Sequence, residues 1–507
     1  MAYLLGIDIG TSGTKTALFD EAGKKLASYT GEYPMYQPQN GWAEQDPSDW
    51  WEATVAGIRA VTAGIDVSQI AGIGLSGQMH GLVMLDAAGK VLRRSIIWCD
   101  QRTAAQCDEI TERVGADRLM EITKSPALTG FTASKILWVR ENEPEIYEKC
   151  KTILLPKDYI RFMLTGEIAT EVSDASGMQL LDIAKREWSD EVLEKLEIDR
   201  SLLGRVYESP DITGRVTRSA AELTGLMAGT PVVGGGGDNA ASAVGCGVVR
   251  GGKAFTTIGT SGVVFAHSPT VTGDPAGRIH SFCAAVPGEW HVMGVVQSAG
   301  LSLHWFRDNF CAAEQAEAKE RGIGAYRVMD EYAAKVPVGS NRLIYLPYLM
   351  GERTPHLDPF ARGVFFGLSA VHTRHDMLRA VMEGVTFALR DSLTIFNEAN
   401  VTVDSMMACG GGASSPLWRQ MLADVFNCTV LTAESNEGGA LGAALLAAAG
   451  TGIYGSVGEA CDAVIRIKEQ CDPIPENAKK YEELYGIYKN LYSKIKADCA
   501  ALAAISL

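Results

Sequence analysis

Two acids stand out by their setting. Asp8 lies inside an apolar run, "LLGIDIG", and Asp238 follows four glycines in "VVGGGGDNAA". Burying a carboxylate without a partner is costly. For Asp8 the partner is either a bound cation or the amide and hydroxyl donors of the turn that follows, since Asp commonly accepts from turns. For Asp238 the glycine run lets the acid meet a ligand closely, and such an acid could take the proton of a hydroxyl attacking a phosphate. Asp is also a preferred helix N-cap, and a helix of small residues follows, so both readings stand.

The turn after Asp8 is Gly10-Thr11-Ser12-Gly13, within "LLGIDIGTSGTKTALFD". It returns about half the chain later as Gly259-Thr260-Ser261-Gly262, within "FTTIGTSGVVFAH". Each copy follows one β-type run and precedes another, which predicts a hairpin. The glycines permit positive φ and close backbone approach. The hydroxyls and amides are donors suited to phosphate oxygens. Ordinary turns use the same residues, but recurrence at half-length favours two similarly built lobes that clamp one phosphate chain.

Other stretches carry weaker signals. His80, with Met79 in "SGQMHGLV", lies just past a strand end and is either structural or a ligand contact. "IIWCDQRT" offers Trp98, Asp100 and Arg102 as a polyol-recognition set, or else a helix start with an adjacent salt bridge. "CGGGASSPLWRQ" sets three glycines before a helix N-terminus, suited to a nucleotide or phosphate, or to a plain connection. "YLMGERTPHLDP" reads as a structural or interlobe segment. No G-x-x-x-x-G-K-[ST] loop occurs. "GIGLSG", Gly72 to Gly77, continues as a strand and lacks the helix that a dinucleotide site requires.

These residues need a large scaffold. With 507 residues, 47% hydrophobic and 21% charged, the chain exceeds one core and has material for two or more domains. A net charge of −15 argues against a broad nucleic-acid or anionic-membrane surface. The 11 cysteines are scattered and "MAYLLGIDIG" lacks the long apolar stretch of a signal peptide, which predicts reduced thiols in a cytoplasm rather than a disulfide framework. "GGALGAALLAAAG" is too short to span a bilayer and reads as a buried helix.

Along the chain, "YLLGIDI", "TKTALFD" and "KKLASYT" predict three strands. A helix follows from Pro47, capped by Asp46 or Ser48 and stopped at Gly64. "QIAGIGLS" is a buried strand. "SKILWVRENEPEIYEKC" and "TRHDMLRAVMEGVTFALRDSLTIFNEA" are helical. Strands alternate with helices in both halves, which indicates an α/β architecture.

Over nearly its whole length the chain resembles the FGGY family of carbohydrate kinases. The segments that carry the resemblance, in order, are "GIDIGTSGTK", "GQMHGLV", "IIWCDQRT", "GGGGDNAA", "TIGTSGVV", "YLMGERTPHLDPFARGVFFGL" and "GGGASSPLWRQMLADVF". The resemblance implies two actin-like ATPase (ribonuclease H-like) domains, residues 1–248 and 249–507, closing over ATP and a sugar. It implies Asp238 as the base, and Asp8 as the acid that organises Mg²⁺ and the phosphates, with both acids near the metal. Met79, His80 and Asn239, together with Asp100 and Arg102, become sugar contacts. Thr11, Ser12, Gly13, Lys15, Gly259, Thr260 and Gly300 become nucleotide contacts, with Gly411 and Gly412 beside the adenosine. Ser414 stands where many relatives carry a basic residue. The Met79-His80 pair resembles the branch acting on D-xylulose; ribulose, another ketose or glycerol are the alternatives, and homodimer formation is left open. An actin-like or chaperone-type ATPase would share the doubled hairpin without needing Met79-His80 or Asp238.

Overall fold

The computed structural model describes residues 2–505. The first hairpin is β1 (Tyr3–Ile9) and β2 (Gly13–Asp20), extended by β3 (Lys25–Glu32). Helix α1 (Pro47–Thr62) is capped by the Asp46 carboxylate, which accepts from the Ser48 amide, and leads to β4 (Ile70–Gly77). Helix α2 (Thr132–Asn142) lies in the helical middle. Strands β5 (Ile212–Arg215), β6 (Pro231–Val233) and β7 (Gly236–Gly237) complete the first sheet, and α3 (Asp238–Gly245) leaves its edge.

The second half repeats the plan with β8 (Gly252–Ile258), β9 (Gly262–Ser268), β10 (His280–Cys283) and β11 (Trp290–Val296). The long helix α4 (Arg374–Glu398), opened by a Thr373–Asp376 capping box, precedes β12 (Val403–Cys409). Then come α5 (Pro416–Phe426), β13 (Thr429–Ala433), α6 (Gly438–Gly450) and β14 (Ile467–Cys471).

The strand orders expose the duplication. The first sheet runs β5-β6-β4-β1-β2-β3 with β7 beside β4, and the second runs β10-β11-β9-β8-β12-β13-β14. Each has an antiparallel hairpin (β1/β2, β8/β9) flanked by a parallel strand (β4, β12). Each also ends on an antiparallel edge strand, β5 against β6 and β14 against β13. The five-residue sequence match therefore sits at the same place in two sheets of the same topology.

One feature crosses the halves. Helix α6, from the second half, lies flat on the first sheet. A Cβ on Gly6 would fall 1.9 Å from the Ala440 carbonyl oxygen, and one on Gly74 would fall 1.8 Å from that of Ala443. It also crosses α3, where a Cβ on Gly442 would lie 1.8 Å from the Ala241 oxygen. The glycines of "GIGLSG" thus serve helix-on-strand packing. Among the described residues no helix is long and apolar enough to cross a membrane.

Candidate active site

Asp8 sits at the C-terminal end of β1, in register with Ser76 of β4. Its partner is neither a turn amide nor a turn hydroxyl: the Ser76 hydroxyl donates to Asp8 Oδ1 at 2.7 Å. Burial raises its pKa, opposed by that hydrogen bond and by the charge of Lys15. The first turn of α6 packs over it, since a Cβ on Gly439 would lie 2.8 Å from Asp8 Oδ2.

The first turn is held from behind. Tyr33 Oη donates to the Gly10 carbonyl at 2.5 Å, and Gln45 Nε2 donates to that of Thr11 at 2.6 Å. Trp98 Nε1 donates to Thr11 Oγ1 at 2.9 Å. With its carbonyls engaged, the turn presents Thr11 and Ser12 to a recess of about 570 Å³ lined also by Glu32, Tyr33 and Met35. The second turn is held the same way: the Gly300 and Leu301 amides donate to the Gly259 and Thr260 carbonyls at 2.8 and 3.1 Å. None of Gly10, Gly13, Gly259 or Gly262 adopts positive φ. Space explains Gly13 instead, because a Cβ there would lie 2.7 Å from the Gly31 oxygen.

Asp238 is the first residue of α3, and Gly237 holds the N-cap position, so the acid is not the cap. Its Oδ1 accepts from the Asn239 amide at 2.7 Å and from Asn239 Nδ2 at 3.0 Å. Burial and then the charge of Asp8 push its pKa up to about 6. That value suits a base working near neutral pH. Part of the glycine run serves packing: a Cβ on Gly237 would meet Met79 Cγ and Sδ at 2.9 Å.

Met79 and His80 continue the same floor. His80 has φ 70°, and its Nδ1 lies 2.8 Å from the Gly177 carbonyl. A carbonyl only accepts, so Nδ1 carries the proton and Nε2 is left as an acceptor. Burial, helped by the nearby positive charge of Lys135, pushes its pKa down to about 3, so the ring is neutral at physiological pH. It stacks on Phe131 at 4.6 Å. The buried Lys135 of α2 pins the backbone here, donating to the His80 carbonyl at 2.8 Å and to that of Gly130 at 2.7 Å.

A cavity of about 920 Å³ opens in the second lobe. Gly259, Thr260, Gly300, Gly411, Gly412 and Ser414 all line it. Its size suits a nucleotide. Sequence reasoning missed His304, Arg307, Tyr326 and Asp330 on its other wall. Arg307 Nη1 donates to Tyr326 Oη at 3.0 Å.

Two expected sugar contacts are corrected. Asp100 and Arg102 are enclosed, with side chains 0% and 1% exposed. Asp100 accepts from the Ala43 amide at 2.6 Å and from Arg102 Nη2 at 2.7 Å. The guanidinium lies 3.7 Å over the Trp42 ring and also pairs with Glu44. This is the salt-bridge alternative, and it leaves no group for a sugar. Lys15 is engaged by Glu437 at 2.7 Å, and Lys25 holds the other carboxylate oxygen.

No cluster of three or more His, Cys, Asp or Glu side chains able to hold a metal occurs among the described residues. The charge of Asp8 reaches Asp238 and raises its pKa, so two carboxylates are available to one cation. Mg²⁺ binds through one or two carboxylates with substrate phosphates completing its shell, so this donor set fits it.

Paired glycine turns on duplicated sheets, a nucleotide-sized cavity and a half-buried acid with a raised pKa describe a two-lobed phosphotransferase of the actin-like fold. Family models match accordingly: the N-terminal domain of the FGGY family of carbohydrate kinases over residues 3–245, and its C-terminal domain over 254–451. The chain belongs to that family. It is 42% identical over 498 residues to the xylulose kinase of Bacillus subtilis, covering 98% of both chains. It is 33% identical to the gluconokinase of the same organism, covering 97% of this chain and 95% of that one. The crystal structure of ligand-bound xylulose kinase from Lactobacillus acidophilus superposes with a TM-score of 0.92 at 28% identity, over 99% of this chain and 100% of that one.

Proposed function

We propose that the chain transfers the γ-phosphoryl group of ATP to the terminal hydroxyl of D-xylulose, giving D-xylulose 5-phosphate and ADP, in the cytoplasm. The observation that carries this reading is Asp238: a half-buried acid pushed up to about 6, whose preceding residue Gly237 packs on Met79, the neighbour of His80. The full-length similarity to xylulose kinases supports the choice of sugar.

In the proposed mechanism Asp238 accepts the hydroxyl proton as the sugar oxygen attacks the γ-phosphorus. Asn239 orients that carboxylate through its two donors. His80 Nε2 accepts from a sugar hydroxyl. The turns at Gly10–Gly13 and Gly259–Gly262 direct amides and hydroxyls to the phosphates from the two domains, 1–248 and 249–507. Asp8 and Asp238 would hold Mg²⁺, which when bound neutralises phosphate charge. Positioning and charge neutralisation are what a loose phosphoryl-transfer transition state needs. Closure of the domains keeps water from competing for the phosphoryl group.

The test is ADP release, coupled to a spectrophotometric signal, over D-xylulose, D-ribulose, D-gluconate, glycerol and no sugar. Turnover is expected to be fastest on D-xylulose. Fast turnover on another acceptor with none on D-xylulose would overturn the sugar assignment, and ADP release indifferent to sugar would point to an ATPase.

A further inference from the structure

Helix α3 belongs to both lobes. It starts at Asp238 beside β7, which pairs with β4 of the first sheet, and its far end packs on the second sheet. There Ala243, Cys246 and Val248 form one apolar cluster with Phe255 of β8, Phe265 of β9 and Met407 of β12, and Cys409 packs against it. Helix α6 crosses the other way, from the second half onto the first sheet. Where the two helices meet, a Cβ on Gly245 would lie 2.1 Å from the Gly438 oxygen. This crossing is the joint on which one lobe turns against the other.

Two thiols meet across this joint. Cys246 closes the C-terminal end of α3, its amide donating to the Ser242 carbonyl at 2.9 Å. Cys409 ends β12, in register with Thr257 of β8 and just before Gly411 and Gly412 of the nucleotide cavity. The two sulfur atoms lie 3.4 Å apart. A disulfide needs about 2.0 Å, so a small side-chain movement suffices. Their shared hydrogen bond holds the Cys409 thiol below its ordinary pKa and, with burial, holds Cys246 above it. Cys409 is partly exposed, and Cys246 lines a recess of about 250 Å³ with Arg250 and Lys253, wide enough for a small oxidant. Cys461, also in that recess, is turned to the Val244 carbonyl, to which it donates at 3.3 Å. An oxidant-sensing cysteine is an accessible thiol of low pKa beside a resolving thiol, and this pair meets that description.

We propose that Cys246 and Cys409 form a redox-modification site, at which a peroxide oxidant joins them by a reversible disulfide that fixes the two lobes and slows turnover. The Cys409 thiolate attacks one peroxide oxygen and the O–O bond breaks. The leaving hydroxide takes the proton that the Cys409 thiol released and becomes water. Cys409 is then a sulfenic acid. The Cys246 sulfur attacks it, the S–O bond breaks, and the departing hydroxide takes the Cys246 proton as a second water. The two thiols lose two electrons in all, and one peroxide is reduced to two waters. The new bond ties the end of Asp238's helix to the strand that leads into Gly411 and Gly412. Closing and reopening of the lobes accompany each turnover, so a covalent tie across the joint slows the cycle without touching either substrate. Disulfides in a reducing compartment are characteristically of this transient, sensing kind.

The bond stands independently of the kinase reading, and its effect on turnover rests on that reading. The intact reduced protein is treated with hydrogen peroxide and digested without reductant for peptide mass. ADP release is followed in parallel on whichever acceptor of the sugar panel the chain uses. The expected result is a linked Cys246–Cys409 peptide, the loss of two of the 11 thiols, and turnover lowered about tenfold or more and restored by dithiothreitol. Cys246→Ser and Cys409→Ser should each match the wild type before treatment and change little after it, and either one serves if the other does not fold. Cys461→Ser should respond as the wild type does. Absence of the linked peptide, a Cys246–Cys461 peptide in its place, a bond that leaves turnover unchanged, or equal loss in either Cys→Ser variant of the pair would overturn the proposal. ADP release indifferent to every acceptor would instead defeat the kinase reading, and the linked peptide would still report on the pair.

Discussion

Asp238→Asn is expected to inactivate the protein and stabilise it at once. The carboxyl sits at about 6 in the folded chain against an ordinary 3.8. The folded state therefore holds that proton more tightly than the unfolded state does, and stability is lost as pH rises between these values. Once both states are ionised, the penalty is about 3 kcal/mol. Asparagine keeps the shape and cannot ionise. The variant should match the wild type below pH 4, exceed it by about half of that figure near pH 5, and exceed it by about 3 kcal/mol at pH 8. Urea unfolding at several pH values reads this difference directly. In the same preparation turnover should fall by about 10²- to 10⁴-fold, the usual worth of a general base, with ADP affinity unchanged because the nucleotide cavity lies in the other lobe. A variant no more stable than wild type at pH 8, or a gap that does not vary with pH, would refute the electrostatic reasoning. Retained turnover would refute the role.

Other outcomes follow from the same geometry. The kcat/KM for sugar should drop about tenfold per pH unit below about 6 and be flat just above it, because only the ionised Asp238 can accept the proton; a profile with no acid limb there contradicts the assignment. His80→Ala should raise the KM for sugar about tenfold through the lost acceptor and the lost Phe131 stacking, with little change in the KM for ATP. Gly300→Ala should raise the KM for ATP, since the new methyl group would lie 2.3 Å from the Gly259 oxygen and displace the second turn. Gly74→Ala should destabilise the protein by about 3 kcal/mol or more by forcing α6 off β4, which urea unfolding measures.

Local elements were legible in the residues, and distant juxtapositions were not. The two hairpins, α1 with its Asp46 cap and the buried helix at Gly438–Gly450 depend on short-range pattern, and they fall where pattern puts them. That α6 lies on the first lobe's sheet depends on Gly6 meeting Ala440 and Gly74 meeting Ala443, partners far apart in the chain, which periodicity does not encode. Sequence left Asp100 and Arg102 open between sugar recognition and a salt bridge, because the rings that cover the guanidinium, Trp42 and Trp138, come from other parts of the chain. Glycine was also misjudged at the turns, where none of the four adopts positive φ and lack of space explains Gly13 and Gly262.

The central claim is that both turns hold one triphosphate while Asp238 faces the sugar's terminal hydroxyl. A crystal structure with D-xylulose, Mg²⁺ and a non-hydrolysable ATP analogue tests it. The account predicts an Asp238 carboxylate oxygen about 2.6–3.2 Å from that hydroxyl, the distance a general base requires, with the phosphate chain touched by Thr11 or Ser12 on one side and Thr260 on the other. A sugar bound away from Asp238, or phosphates contacted by one turn alone, would contradict it.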